Sequence, residues 1–396
     1  LTHHPSLILI EPVFDDEWTH IAERAFFTTD ATSEDQLTQS ARACCHLLYE
    51  TGLDRLVGNR PLWLDLGGEW LAYPELWPAQ PERLRIILPA DDSKRPGKRT
   101  IQRLRSEGYR LGMHLAADEL PDPELLDAVD LLLVHGRRSF AQEAYLSWRQ
   151  SGGRVAACGI DSLNELNVSR GAGCDLFSGR CLEQPVPHAP VHPGRHGNPN
   201  IKLRLFSELY RVDVSLESIE RYIIQYPYLH ASIIKLAHSS YFQPPSQPLG
   251  LRQAIMVIGL RELRVLVATL LLAYDTPRLV FTLRQALVRG FMCRALARPF
   301  ASLEAEHAFS TGFFSLMDRL LQIDQQTLLV EIPLHDDIIR ALRERRGEQG
   351  ALLTLVEEYE TLQADAGAHS DELAADQLRG AYLEAVAQTQ ALMALR

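Results

Sequence analysis

The chain has 396 residues, 46% apolar and 23% charged, a composition that excludes disordered, collagen-like and membrane-spanning classes. At roughly 100 to 200 residues per domain, two or three domains are expected, each able to bury its own core. A formal net charge of −11 provides no overall positive field to gather a nucleic-acid backbone, so direct nucleic-acid binding is not expected.

Six cysteines (Cys44, Cys45, Cys158, Cys174, Cys181 and Cys293) are too sparse for a disulfide scaffold, and none forms a C-x-x-C pair suited to zinc. No run reaches the roughly 18 apolar residues of a membrane span, and the first residues lack a secretory pattern. A cytoplasmic protein with reduced thiols is expected, and a start at Leu1 implies a trimmed beginning.

The first half alternates short apolar runs with helical segments, as helices covering a largely parallel sheet require. Strands are predicted at Leu7–Phe14, Pro61–Leu66, Leu84–Ala90, Arg110–Ala117, Asp130–His135 and Arg154–Ile160. Helices are predicted at Ser33–Glu50, Lys98–Glu107, Phe140–Gln150 and Ser162–Val168. From Glu183 to Asn200 the sequence EQPVPHAPVHPGRHGNPN breaks helices with proline and favours turns. Its His188, His192 and His196 recur every fourth residue, but Pro190 and Pro193 prevent the helix that would gather them around a metal.

The second half carries apolar residues at three- and four-residue intervals and is predicted to be almost entirely helical. Ser215 is a good N-cap for the helix bearing Leu216, Ile219, Tyr222 and Ile223, and Pro227 suits the first turn of the next. Further helices are predicted at Ala254–Gly259, Glu262–Ala273, Phe281–Ala297, Ala305–Gln322, Asp336–Arg343, Leu352–Gln363 and Asp371–Ala394. The expected division is residues 1–183, a linker over 184–200, and a helical domain over 201–396.

Catalytic signatures are absent: there is no GxxxxGK[ST] loop, no strand-linked GxGxxG, no HExxH and no GxSxG elbow. His335, Asp336 and Asp337 form a possible metal doublet, but they open the helix DDIIRAL, where carboxylates meet free amide groups and the positive helix end. A capping role is expected of them.

Three segments of the helical half, YPYLHASIIKLAHSSYF (Tyr226–Phe242), AIMVIGLRELRVLV (Ala254–Val267) and AFSTGFFSLMDRLL (Ala308–Leu321), follow in the order of an HDOD domain. The region from about 201 to 365 resembles that family, a non-catalytic relative of the metal-dependent HD phosphohydrolases. Where a metal-binding relative carries histidine and aspartate, this chain has Ser315 and Leu316, which cannot supply those ligands. Tyr226 and His238 also depart from the family's usual aspartate and asparagine. The apolar residues around Tyr241, Phe242 and Pro244 are expected to pack a loop into the core, with an exposed contact patch as the alternative.

The first half resembles an EAL domain, a TIM-barrel-like phosphodiesterase module for cyclic di-GMP. EPVFDDEW, GYRLGMHLAAD, VAACGIDS and DLFSGRCLEQP follow in the order of that family's opening strand, its Asp-Asp-Phe-Gly strand, its late glutamate strand and its closing segment. Together the halves are similar to the EAL/HDOD signalling proteins of the YuxH family. The resemblance implies a fold of α/β plus all-α class: a degenerate TIM-barrel-like EAL domain followed by a helical HDOD domain.

An active EAL module needs acidic and amide ligands for two metal ions, with a lysine and a base near the attacking water. The resemblance aligns its first glutamate with Glu23 and the phosphate-contacting arginine with Phe27. It aligns the asparagine ligand with Asp65, the next acidic ligand with about Pro89, and the paired aspartates with His114 and Leu115. The lysine aligns with Leu133, the aspartate after it with His135, the late glutamates with Cys158 and Asp161, and the base-supporting glutamine with Ser178.

No catalytic, cofactor-binding or metal-ligating residue is therefore expected, and no cofactor. Glu23, Asp65, His114 and Cys158 are all ligand types and could converge on a different transition metal if the alignment holds. Their bland roles are rim carboxylates, a hydrogen-bonded imidazole and a small buried thiol. The expected function is an inactive cytoplasmic signalling protein that acts on protein partners of a bacterial pathway, with no membrane. Retained cyclic di-GMP binding is the second reading, with Arg24 able to compensate by reaching the mouth, and residual metal-dependent phosphodiesterase activity is the third.

Overall fold

A computed structural model describes residues 7–28, 44–66, 68–74, 77–91, 95–115, 123–135, 146–180, 199–211, 213–238, 250–272, 277–298, 303–321, 323–361 and 372–394. The chain divides into two compact units, Leu1–Gln184 with Glu360–Leu383, and Pro185–Tyr359 with Glu384–Arg396.

The first unit is a closed barrel of eight strands in sequence order: β1 (Leu7–Asp15), β2 (His20–Thr28), β3 (Leu62–Asp65), β4 (Leu84–Leu88), β5 (Arg110–His114), β6 (Leu131–His135), β7 (Arg154–Cys158) and β8 (Leu176–Phe177). β1 runs antiparallel to both β2 and β8, and every other neighbouring pair is parallel. Leu131, Leu132, Leu133 and Val134 are all buried, as expected of a strand covered on both faces. Inside the barrel Val13, Ala22, Trp63, Ile87, Leu131, Leu133, Ala156, Cys158 and Leu176 pack as one cluster.

Six of these strands are the predicted ones, five of them trimmed at their ends and β1 longer by one residue, and two are additions. β2 reads HIAERAFFT, with adjacent Glu23 and Arg24 interrupting the apolar pattern although Ala22, Glu23, Arg24 and Ala25 are all buried. β8 has only two residues, too few for any periodic signal. The predicted helix Ser33–Glu50 overlaps described residues only at its end, where His46–Gly52 winds with a π-helical pitch before Leu53–Val57.

Residues Glu360–Leu383 belong to the barrel unit rather than to the helical domain with which the sequence grouped them. One physical reason is Tyr382, whose buried hydroxyl accepts from the Ile10 amide at 3.0 Å and donates to the Ile10 carbonyl at 3.3 Å.

The second unit is helical. Ser215 caps Leu216–Ile224 by accepting from the Ser218 amide, and Pro227 opens Pro227–Ala237, both as predicted. Helix Pro199–Tyr210 begins inside the predicted linker, whose residues before Pro199 lie outside the described ones with His188, His192 and His196. Tyr241, Phe242 and Pro244 also lie outside them. The long helix Pro277–Ala297 packs on Ala305–Phe314 at two glycines: a Cβ added at Gly312 would stand 2.6 Å from the Arg289 carbonyl oxygen.

The single helix predicted over Ala305–Gln322 is broken, with Ala305–Phe314 and Met317–Leu321 separated at Ser315 and Leu316. Ser315 Oγ donates to the Gly312 carbonyl at 2.6 Å, a local bond of the kind that competes with helix continuation. A further short helix, Gln325–Glu331, capped by Asp324, was not predicted.

Candidate functional site at the barrel mouth

The parallel strands deliver Asp65, His114, His135 and Cys158, their last residues, to one face, and Ser178 follows β8 there. Chemistry in such barrels sits at this C-terminal rim.

Register decides which neighbours face inward. Val13 pairs with Ala22, and both belong to the interior cluster, so Glu11 and its partner Arg24, two residues along each strand, face the same way. Glu23 pairs with Pro12 on the opposite face, fully buried, with Oε1 3.2 Å from His20 Nε2. The expected placing of Glu23 at the mouth is thus displaced by one residue, and Arg24 stands there instead.

Arg24 is 8% exposed and acts as a hub. Its Nη2 donates to Asp65 Oδ2 at 2.5 Å and its Nε to Asp65 Oδ1 at 3.3 Å, a bidentate pair. His114 Nε2 lies 3.1 Å from Asp65 Oδ2 and 3.3 Å from Arg24 Nη2. Burial by itself would lower the Arg24 pKa, but Asp65, Cys158 and Glu11 together raise it above the ordinary guanidinium value. For Asp65 burial acts upward, and Arg24 and His114 outweigh it to hold the carboxyl at about 2. Burial pushes the Cys158 thiol up to about 11 despite Arg24, so it is protonated at neutral pH and is neither a ready nucleophile nor a ready thiolate ligand.

The remaining sequence-selected positions surround this hub unevenly. Ser178 is fully buried and donates to Glu11 Oε2 at 3.0 Å, a partner for which the sequence carries no motif. His135 is exposed, its ring 6.2 Å from that of His114 and nearly parallel to it. Leu133 is fully buried in the interior cluster. Leu115, just past β5, uses its amide to bond the Leu133 carbonyl. Phe27 shares the outward parity of Glu23, and the Pro89 carbonyl accepts from Arg95 Nε at 2.8 Å. Asp161 is exposed, and its amide donates to Glu165 Oε2.

These residues do not fit a pair of divalent ions. A guanidinium sits among the donors, the thiol is protonated, and Leu133 is apolar at the position that aligns with the lysine of an active module. Among the described residues no three histidine, cysteine, aspartate or glutamate side chains gather as a metal site. The convergence proposed for Glu23, Asp65, His114 and Cys158 fails at Glu23.

In the helical unit, Leu316 is buried and Ser315 accepts from Nη1 of the buried Arg289 at 2.8 Å. The same Nη1 reaches Glu357 Oε1 at 3.2 Å, and Arg345 bonds both oxygens of that carboxylate. His335 is an N-cap, its Nδ1 accepting from the Asp337 amide at 3.3 Å, so the doublet there is used to start a helix.

Comparison with known proteins matches the HDOD domain family over residues 198–324. The chain is 28% identical over 213 residues to the cyclic di-GMP phosphodiesterase CdgJ of Vibrio cholerae, covering 52% of this chain and 48% of CdgJ. It is 26% identical over 195 residues to the uncharacterized protein YuxH of Bacillus subtilis, covering 48% and 47%. The chain thus spans about half the length of the curated relatives it matches.

Among solved structures, an EAL domain protein from Listeria monocytogenes is similar at 13% identity and a TM-score of 0.35, covering 46% of this chain and 90% of that one. Klebsiella pneumoniae BlrP1, in its calcium and cyclic di-GMP complex, is similar at 14% and 0.34, covering 46% and 56%. Among the described residues no helix is long and apolar enough to cross a membrane.

Proposed function

We propose that this chain, a closed EAL-like barrel followed by an HDOD domain, is a catalytically silent protein of cyclic di-GMP signalling that works in the bacterial cytoplasm by binding protein partners. The observation that carries this is the buried Arg24–Asp65–His114 cluster. Phosphodiester hydrolysis by metal ions requires ligands that hold the ions and leave a bound water ionised. Here the carboxylate that would be a ligand is committed to an internal cation. Its imidazole neighbour is bonded to the same pair, and Cys158 keeps its proton at neutral pH. Ser178 spends its proton on Glu11 rather than on a water.

The same geometry argues against a phosphate receptor at this rim. Arg24 has its charge neutralised by Asp65 within 2.5 Å and stands next to Glu11, so a dianionic ligand would have to displace a carboxylate to reach it. A second function, residual phosphodiesterase activity, draws its support from the similarity to CdgJ.

The deciding experiment is incubation of the purified chain with cyclic di-GMP, and separately with the linear dinucleotide, in magnesium and in manganese, with products separated by chromatography. No product is expected. Product formation abolished by Asp65→Asn would overturn catalytic silence in favour of the phosphodiesterase.

A further inference from the structure

The opposite, N-terminal opening of the barrel gathers three arginines. Arg85 on β4 pairs in register with Trp63 and with Arg110, and Arg154 on β7 pairs with Leu131. Trp63 and Leu131 belong to the interior cluster, so all three arginines share the inward-facing parity at the starts of their strands. Arg85 and Arg110 are directly opposite across neighbouring strands, an arrangement that like charges destabilise.

Asp130 holds the innermost of the three: Arg85 Nη2 donates to Asp130 Oδ2 at 2.9 Å. Asp130 is fixed there by its backbone, its amide donating to the Leu111 carbonyl and its carbonyl accepting from the Arg154 amide. Among the described residues, Arg110 and Arg154 have no ion-pair partner, and the buried Nε of Arg85 has no acceptor. Burial holds Arg85 below its ordinary value, and Arg110 and Arg154 act in the same direction against Asp130. At the same end Asp15, opposite Leu176 of the interior cluster, accepts from the Glu17 and Thr19 amides at Oδ1, and Asp175 accepts from Arg149 and the Val155 amide, so neither carboxylate is bonded to Arg110 or Arg154.

We propose that Arg85, Arg110 and Arg154 form an anion cradle for a phosphoryl dianion of a small phosphorylated ligand. Two guanidinium groups without a carboxylate partner among the described residues suit a dianion, and the acceptor oxygens of a phosphoryl group suit guanidinium forks arriving from separate strands. Arg110 and Arg154 are exposed and accessible to solute, whereas half-buried Arg85 forms the floor. Asp130 sets the floor guanidinium in place and leaves the outer two for the ligand. The cradle lies at the end of the barrel away from Asp65 and does not depend on the function proposed for that rim.

The test is calorimetric titration of the full chain with inorganic phosphate, then pyrophosphate, in a phosphate-free chloride buffer, with melting temperature followed in parallel. Saturable binding that raises the melting temperature is expected for wild type and for Asp65→Asn. Arg110→Gln and Arg154→Gln should each weaken it about tenfold, the loss of one charge-assisted contact. Without phosphate, Arg110→Gln should melt at or above the wild-type temperature, because removal of a like-charged neighbour relieves Arg85. A merely structural role for Arg110 would lower it in both buffers. No saturable heat with either probe, or unchanged affinity in Arg110→Gln, would overturn the cradle, and that exposed position decides the matter even if Arg154→Gln misfolds.

Discussion

Replacing Arg24 by alanine would leave Asp65 and Glu11 facing each other's charge in the barrel interior without their shared cation. Breaking a buried ion pair on one side costs about 3–5 kcal/mol, and chemical denaturation of Arg24→Ala should show a loss of that order. Arg24→Lys should recover only part of it, since an ammonium cannot reproduce the bidentate pairing with Asp65. The Asp65 carboxyl is held at about 2 against an ordinary 3.8. A carboxyl depressed in the folded state stabilises fully above the unfolded value and loses that contribution as pH falls toward the folded one. Wild type should therefore lose stability between about pH 4 and pH 2 more steeply than Asp65→Asn, as acid unfolding curves would show. Equal slopes would mean that Asp65 is not held ionised by Arg24. The types of the mouth residues were legible in the sequence, since Asp65, His114 and Cys158 reach one rim as aligned. The hub was not, because Glu23 and Arg24 are adjacent charges and only strand register tells which faces inward.

At the scale of elements, the crossing of Pro277–Ala297 with Ala305–Phe314 depends on glycine. A methyl group at Gly312 would collide with the Arg289 carbonyl and with Gly290 Cα at 2.9 Å, both backbone atoms that cannot swing aside. Gly312→Ala should cost about 1–3 kcal/mol, the usual range for overpacking, measured by thermal or urea unfolding. A neutral result would show that the helices can separate freely. Helix starts were the clearest sequence signals: Ser215, Pro227 and the residues after Pro333 each begin an element as their chemistry predicts. Strand signals failed where burial is two-sided and charged, as in β2, or where the strand is as short as Leu176–Phe177. The break at Ser315 has no signal in the apolar spacing, which continues through it while a side-chain bond to Gly312 interrupts the helix.

At the scale of the whole molecule, the order of a β/α half and a helical half was visible in the change of apolar period. The return of Glu360–Leu383 to the barrel unit was not, because a helical pattern does not say which core receives it. Calorimetry with cyclic di-GMP should give no saturable binding that depends on Arg24 or Asp65, and tight binding lost in either variant would make the barrel rim a receptor. The central claim is that Arg24 holds the donors a divalent ion would need. Its most direct test is a manganese titration followed by electron paramagnetic resonance, in which only the free hexaaqua ion gives the sharp signal. No tight manganese site sensitive to Asp65→Asn is predicted, the free-ion signals of wild type and variant rising together. Stoichiometric uptake by wild type that disappears in Asp65→Asn would contradict it.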